Sequence, residues 1–394
     1  MKGRREALAV GLIWLVWLAG ILLTVEIGLA AGAYTFRYGW TVHTGPWPLF
    51  AWDYNWYYLI AVFTGYPEGM GGPQYAFFPL WPQLFRWSGS ISDAVAAGTL
   101  AWTASAAAFF GVAEGTPRTR LRTALALACW PGSFALALGY PDALALAAAA
   151  WAGVLALRGR LLAAGLVGVI AALARPSGFL IALPLFLLAR GKGPRAWLGA
   201  AAPVGAAAAV QAYFWSRSGN PTVFFDAQRL WGRGGPGRFS DWSNHLREVI
   251  EGHGLLIPVL AVLAASAIVL VWRRFGPWPT AVIAYACAVP LLLAATQSLE
   301  SFVDSARAAL VLPLLVVLWR LGPLYRPWAA FATVVVGLLL VSGTMQSFGR
   351  QSLFAFPIFW AIAEGPRWLR YPPLAVLGFA ANLGLVLLLT RFAP

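Results

Sequence analysis

Residues 123–157 read TALALACWPGSFALALGYPDALALAAAAWAGVLAL, a long apolar run broken at Pro131-Gly132 and again at Gly139-Tyr140-Pro141-Asp142. Arginines flank it on both sides: Arg118, Arg120 and Arg122 before, Arg158 and Arg160 after. An apolar run bounded by basic residues, with a short polar turn in the middle, is the pattern of a helical hairpin that crosses a bilayer and returns. Similar blocks follow along the chain. They predict about thirteen full or partial spans of a bilayer core that takes roughly 20 apolar residues per helix. The segments are 8–33, 93–113, 121–139, 143–157, 161–174, 178–189, 196–215, 253–272, 277–297, 308–319, 328–346, 352–363 and 371–391.

Composition agrees. The chain has 394 residues, of which 60% are hydrophobic and 11% charged, against about 25% charged in soluble domains. Irregular backbone cannot face lipid, and a closed barrel would show short alternating segments. The expected fold is therefore an all-α polytopic membrane protein with about 11–13 spanning or partial-span helices. Residues 1–394 read as a single domain with two long outer loops, 34–92 and 216–252. The first is rich in Trp, Tyr and Phe and is expected to carry interfacial helices at headgroup level. The basic start and the run to Ala33 are too long for a signal-peptide core and read as a retained first helix.

The net charge of +14 does not point to nucleic acid, because the basic residues form no patch and instead punctuate the apolar blocks. With the N-terminus on the cytoplasmic side, about seventeen positives fall inside and about eleven outside. The acids sort the other way: Asp53, Glu68, Asp142 and Asp226 fall outside, with Glu6, Glu114 and Glu364 inside. Acids contribute little to topology, so their segregation is an independent sign that chemistry belongs to the outer face. A compact chain rich in Arg, Ala and Gly reads as prokaryotic, and the expected location is the cytoplasmic membrane.

Cys129 and Cys287 lie inside apolar blocks and suit neither a disulfide framework nor a thiolate metal site. His43, His245 and His253 fall in no H-E-x-x-H, and neither a D-x-D nor a nucleotide fingerprint occurs, so no metal and no cofactor is expected.

Five stretches remain as candidates. In Trp52-Asp53-Tyr54-Asn55-Trp56-Tyr57-Tyr58-Leu59-Ile60-Ala61, helical spacing puts Asp53 on one face with Trp56, Tyr57 and Ile60. A lone carboxylate on a partly dry aromatic surface suits a general base; the competing account is an interfacial helix with one solvated Asp. In Ala76-Phe77-Phe78-Pro79-Leu80-Trp81-Pro82, two prolines fix a kinked or re-entrant segment whose rings either stack on a sugar or anchor in headgroups. Asp142 is an acid at a depth where acids are costly, or else part of a simple polar turn. Arg175 and Arg350 interrupt apolar sequence at outer turns, against the topological trend. Their guanidinium forks suit phosphate, with Gln228, Arg229 and Arg233 as further contributors; the alternative is a headgroup contact or a salt bridge to an outer acid.

W-D-x-x-W-Y-x-x-I-A followed by F-F-P-L-W-P resembles the PIG-V family of mannosyltransferases, which are integral-membrane GT-C glycosyltransferases. Tyr140-Pro141-Asp142 is similar to that family's Tyr-Ser/Thr-Glu turn. Arg175-Pro176-Ser177-Gly178, and Gly349-Arg350 through Phe356-Pro357-Ile358-Phe359, resemble its later motifs. The resemblance spans about residues 50–360. It departs in having one extra residue between Ile60-Ala61 and Gly65-Tyr66, Asp142 in place of Glu, and Gln351 in place of Tyr.

The resemblance implies a GT-C-like bundle and an inverting transfer of mannose from a polyprenyl-phosphate carrier to a lipid, glycan or protein acceptor on the extracytoplasmic side. It implies Asp53 as base and Arg175, Arg350, Arg229 and Arg233 on the carrier phosphate. Trp52, Asn55, Trp56, Tyr57, Phe78, Tyr140, Asp142 and Gln228 would then meet the sugar or the acceptor. One carboxylate is enough, because the phosphate leaving group needs no general acid, in contrast to the carboxylate pair of glycosidases. A transporter or flippase of a polyprenyl-linked sugar is the alternative, since Pro-broken helices and buried charges serve transport equally well.

Overall fold

The computed structural model describes residues 2–34, 48–50, 52–87, 93–115, 119–231, 311–341, 348–366 and 372–387. All regular structure among the described residues is helical. α1 is Lys2–Ala30, α2 Asp53–Tyr58, α3 Leu80–Trp87, α4 Asp93–Glu114, α5 Arg120–Ala128, α6 Asp142–Leu157, α7 Leu161–Ala174, α8 Ala182–Ala189, α9 Pro194–Ser218 and α10 Val223–Leu230. They are followed by α11 Val311–Arg320, α12 Arg326–Val341, α13 Phe348–Gln351, α14 Pro357–Glu364 and α15 Pro372–Leu387.

α6 is apolar on every side and buried along most of its length, as a central helix must be. α4 and α7 pack on its two flanks, α9 covers α7, and α1 and α5 pack on α4. Small residues set the closest crossing. A Cβ added at Gly165 of α7 would fall on the Gly199 carbonyl of α9, and one at Gly199 would fall on the backbone of Leu161 and Leu162. Such small-residue contacts let backbones touch where hydrophobic burial gives little orientation. Indole N–H groups tie the helices further: Trp151 donates to Ala107 O at 3.0 Å, Trp360 to Val112 O at 3.0 Å and Trp17 to Ser133 Oγ at 3.0 Å.

The helix expected over 121–139 ends at Ala128. Pro131 has no N–H to continue the ladder and disfavours helix at Trp130, and Gly132 takes φ 131°. A short 3-10 turn, Ser133–Ala137, follows. Asn382 of α15 satisfies this break: its Oδ1 accepts from the backbone N–H of Gly132 at 3.3 Å and of Phe134 at 3.0 Å. The segment expected at 352–363 also divides, into a 3-10 turn Ser352–Phe354 and α14. The segments expected at 253–272 and 277–297 lie outside the described residues.

The bundle has two chemically different ends. At one, Glu114 lies 2.7 Å from Arg158 and 3.7 Å from Arg120, Arg120 lies 3.8 Å from Glu6, and Thr119 donates to Glu364 at 2.9 Å. These are the three acids and two of the arginines that the sequence expectation assigns to the inner side. Asp142 and Arg175 lie at the other end, because α6 carries Asp142 and the Arg158 cap at its opposite termini. Its 16 residues span about 24 Å.

The described part of the first outer loop packs much of its aromatic surface inward. Tyr54, Tyr57, Tyr58, Tyr66, Tyr75, Phe77, Phe78, Trp81 and Phe85 are buried within the protein, while Val62, Phe63, Met70 and Trp87 are exposed. Large rings gain most by packing against one another, and Trp81 Nε1 fastens the loop to Gly139 O at 3.0 Å. Among the described residues, two helices, Gly3–Ala30 and Ala94–Glu114, are long and apolar enough to cross a membrane.

Gly→Ala inside a helix ordinarily stabilises by roughly 0.5–1 kcal/mol. Gly165→Ala is expected to do the opposite and destabilise by about 1–3 kcal/mol, because the methyl group meets backbone. Thermal unfolding of the purified protein should show a lower Tm for this variant, and an unchanged or higher Tm would refute the close crossing.

Candidate functional site

Four separated turns converge on one cluster. Asp53 is the first residue of α2, and Trp52 before it has φ 58°, the one positive φ outside glycine among the described residues. Such a conformation is strained for a bulky side chain and persists only where its surroundings impose it. Asp142 opens α6 in its first turn, where a carboxylate complements the helix dipole. Arg175 ends α7 in extended conformation, φ −143° and ψ 148°, as the residue before Pro176 should. Arg350 lies in the single turn α13. The α5 break supports that turn directly, since a Cβ at Gly132 would stand 3.1 Å from Gly349 O.

Arg350 Nη1 is 2.7 Å from Asp53 Oδ2, and its Nε is 3.7 Å from Asp142 Oδ1. Asp142 Oδ1 also accepts from Arg175 Nη1. Side-chain exposure is 7% for Arg350, 5% for Asp142, 14% for Arg175 and 27% for Asp53. Two guanidiniums and two carboxylates thus form an electroneutral quartet that is closed except around Asp53. Within it, Arg350 Nε is buried and makes no hydrogen bond among the described residues.

Tyr140 and Tyr57 wall this quartet. The Arg350 guanidinium carbon lies 4.9 Å from the Tyr140 ring centroid, a cation–π contact. The Tyr140 hydroxyl meets the backbone of Asp53 in a hydrogen bond, so one side chain touches both charged partners. Burial, and then Asp53, push the Tyr140 phenol well above its ordinary value, with Arg350 acting the other way. Burial, followed by Asp53 and Asp142, likewise raises Tyr57. Both remain neutral phenols. Burial works against the Arg350 charge, but Asp53 and Asp142 outweigh it and the net direction is upward.

Asp53 is therefore not the lone carboxylate of the sequence expectation, because Arg350 faces it. Arg175 and Arg350 are not open forks either; for both, the salt-bridge alternative is realised. Asp142 is no solvated turn residue.

The aromatic residues divide. Trp56 stacks on Phe77 with centroids 5.8 Å apart and meets Trp231 edge-on at 5.4 Å. Tyr57 meets Phe77 edge-on. Trp52, just before α2, and Asn55 within it are half-buried. Phe78, expected to shape a sugar pocket, is buried between Phe214 and Phe224 and serves the core. Gln228 Nε2 reaches Ala76 O at 3.4 Å. Arg229 is exposed and pairs with Asp226 at 2.9 Å, one turn back on α10, rather than with the quartet. Arg233 lies outside the described residues. No group of three or more His, Cys, Asp or Glu is placed as metal ligands among the described residues.

Sequence reading missed the residues that hold the quartet's end of the bundle together. Arg217 pairs with Glu68 and donates to Tyr66 O at 3.2 Å. The Tyr66 hydroxyl in turn donates to Phe77 O at 2.7 Å, beneath Trp56. Arg86 Nε donates to Ala61 O at 2.6 Å. The criterion that singled out Arg175 and Arg350, a basic residue against the topological trend, applies equally to Arg86 and Arg217. The chain matches no family model and no curated protein.

Removing one partner of a buried ion pair leaves the other uncompensated, at a cost of about 3–5 kcal/mol. Asp142→Ala should lower stability by about that amount. In a double-mutant cycle with Arg175→Met, the double variant should lose less than the sum of the singles by about 0.5–3 kcal/mol. Thermal or denaturant unfolding measures both, and additivity would mean that the pair is not formed.

Proposed function

We propose that this chain is a polytopic membrane glycosyltransferase of inverting type that moves a sugar, mannose by the resemblance to the PIG-V family, from a polyprenyl-phosphate carrier to an acceptor hydroxyl on the extracytoplasmic side. The observation that carries the reading is the buried quartet. It joins the carboxylate expected to act as base to the two guanidiniums expected to receive phosphate, although the three turns are remote in sequence.

Membrane embedding is supported by the two long apolar helices and by the outer face of α1. Leu8, Leu12, Leu15, Val16, Leu23 and Ile27 are all exposed there. A contiguous apolar stripe of that length is foreign to a water-facing surface. The N-terminal, Glu114-bearing end is then cytoplasmic, and the quartet faces outward.

In the reaction, an acceptor hydroxyl attacks the anomeric carbon of the sugar from the face opposite the carrier. The C–O bond to phosphate breaks and its electron pair goes to the phosphate oxygen. The hydroxyl proton goes to Asp53, the most exposed member of the quartet and so the one an acceptor can reach. Arg350 and Arg175 stabilise the charge that accumulates on the phosphate. The buried Arg350 Nε, which makes no hydrogen bond among the described residues, is a donor left for that phosphate. The stack of Trp56 on Phe77, edged by Trp231, offers an apolar wall for sugar or isoprenoid.

One departure from the family pattern has a structural counterpart. The extra residue between Ile60-Ala61 and Gly65-Tyr66 falls in the π-helical turn Leu59–Thr64, whose wider winding takes up an added residue and which recurs at functional sites.

Asp53→Asn keeps the size and a hydrogen-bonding oxygen but cannot accept the proton. Transfer of labelled mannose from polyprenyl-phosphate mannose to membrane acceptors should fall about 10²–10⁴-fold, with the variant still folded. Near-normal turnover would remove Asp53 from its role. Absence of transfer by the wild type, with the labelled lipid crossing the bilayer of proteoliposomes, would establish the transporter instead.

A further inference from the structure

We infer that Asp142 is a specificity residue that sets the net charge of the phosphate site, so that the site favours the singly charged diester donor over the doubly charged monoester product. This rests on the glycosyl-transfer reading of the quartet.

The sequence expectation placed Asp142 on the sugar or acceptor. Its geometry serves another purpose. Asp142 is 5% exposed, and a single oxygen, Oδ1, faces both Arg175 and Arg350. A carboxylate so enclosed and so occupied has little left for a sugar hydroxyl. What it supplies is one negative charge between two positive ones. With it the described quartet sums to zero; without it the sum would be one positive charge. The two phenols at the site, Tyr57 and Tyr140, are neutral and do not alter the sum.

Charge balance through the reaction shows why zero is useful. A sugar-phosphate-polyprenyl diester carries one negative charge, and the released monoester carries about −1.5 to −2 near neutral pH. During transfer the proton from the acceptor moves to Asp53, so the quartet gains one positive charge as the phosphate gains one negative. The pair is matched at that moment, when stabilisation lowers the barrier. Once Asp53 returns its proton to water, the quartet is neutral again and holds a dianion beside two carboxylates. Like charges at such range repel, which favours departure of the product. A site built of the two guanidiniums and Asp53 alone would retain the product instead.

Binding to the detergent-solubilised full chain tests this without turnover. The probes are farnesyl phosphate, a monoester, and its methyl diester, with affinities from isothermal titration. Wild type should bind the diester at least as tightly as the monoester. Asp142→Asn should raise monoester affinity relative to diester by about tenfold or more, while the charge-preserving Asp142→Glu should leave the ratio near that of the wild type. Arg175→Gln makes the sum negative, and although it weakens both ligands it should move the ratio the opposite way. It also keeps the test open should Asp142→Asn fail to fold. If both probes bind but the ratio does not follow the charge of the variant, the role of Asp142 is overturned and the phosphate site stands. If neither probe binds wild type or any variant, the phosphate site itself is wrong and the inference falls with it.

Discussion

A guanidinium held between two carboxylates in the interior of a helical bundle constrains everything around it. Arg350 cannot be buried unless Asp53 and Asp142 both approach it, because an unpaired charge at that depth costs several kcal/mol. The requirement draws the start of α2, the start of α6 and the turn at α13 to one place. Arg175, brought by the extended residue before Pro176, completes the balance. The local irregularities make sense in that light. The strained backbone at Trp52, the α5 break beneath Gly349 and the Tyr140 ring against Arg350 all serve to hold four charged groups at fixed positions. Fixed charges need no reorganisation when a substrate's charge changes, which is where enzymes gain most from electrostatics.

The same bundle keeps its other end for a different task. Glu6, Glu114, Arg120 and Arg158 form a more exposed network there, of the kind that contributes little stability per pair. It knits the termini of α1, α4, α5 and α6. The contrast between a shallow network at one end and a buried quartet at the other gives the molecule a chemical direction, and the proposed orientation in the membrane follows it.

Much of the helical scaffold was legible in sequence, because long apolar blocks between arginines have few alternatives. The segment 161–174 coincides with α7, and 143–157 differs from α6 by its first residue. The end of α5 at Ala128 was signalled by Pro131-Gly132, although the apolar character of 133–139 hid it. Asp53, Asp142, Arg175 and Arg350 were each visible as polar residues where the pattern disfavoured them. Their pairing was not visible, since a salt bridge between remote turns leaves no periodic trace. Phe78 was misassigned because adjacent aromatic residues in one motif point to different neighbours: Phe77 to Trp56, and Phe78 to Phe214. Arg217 and Arg86, which clasp backbone carbonyls, carry the same signal as the other outer arginines but lack a motif around them.

The central claim is that the quartet receives a lipid-linked phosphate and releases Asp53 to act on an acceptor. Its most direct test is a high-resolution structure of the full chain with polyprenyl phosphate bound. The account predicts a phosphate oxygen within hydrogen-bonding distance of Arg350 and Arg175, with the Asp53 carboxylate turned to open space beside the Trp56–Phe77 stack. A phosphate bound elsewhere, with Asp53 still clasped by Arg350, would contradict it.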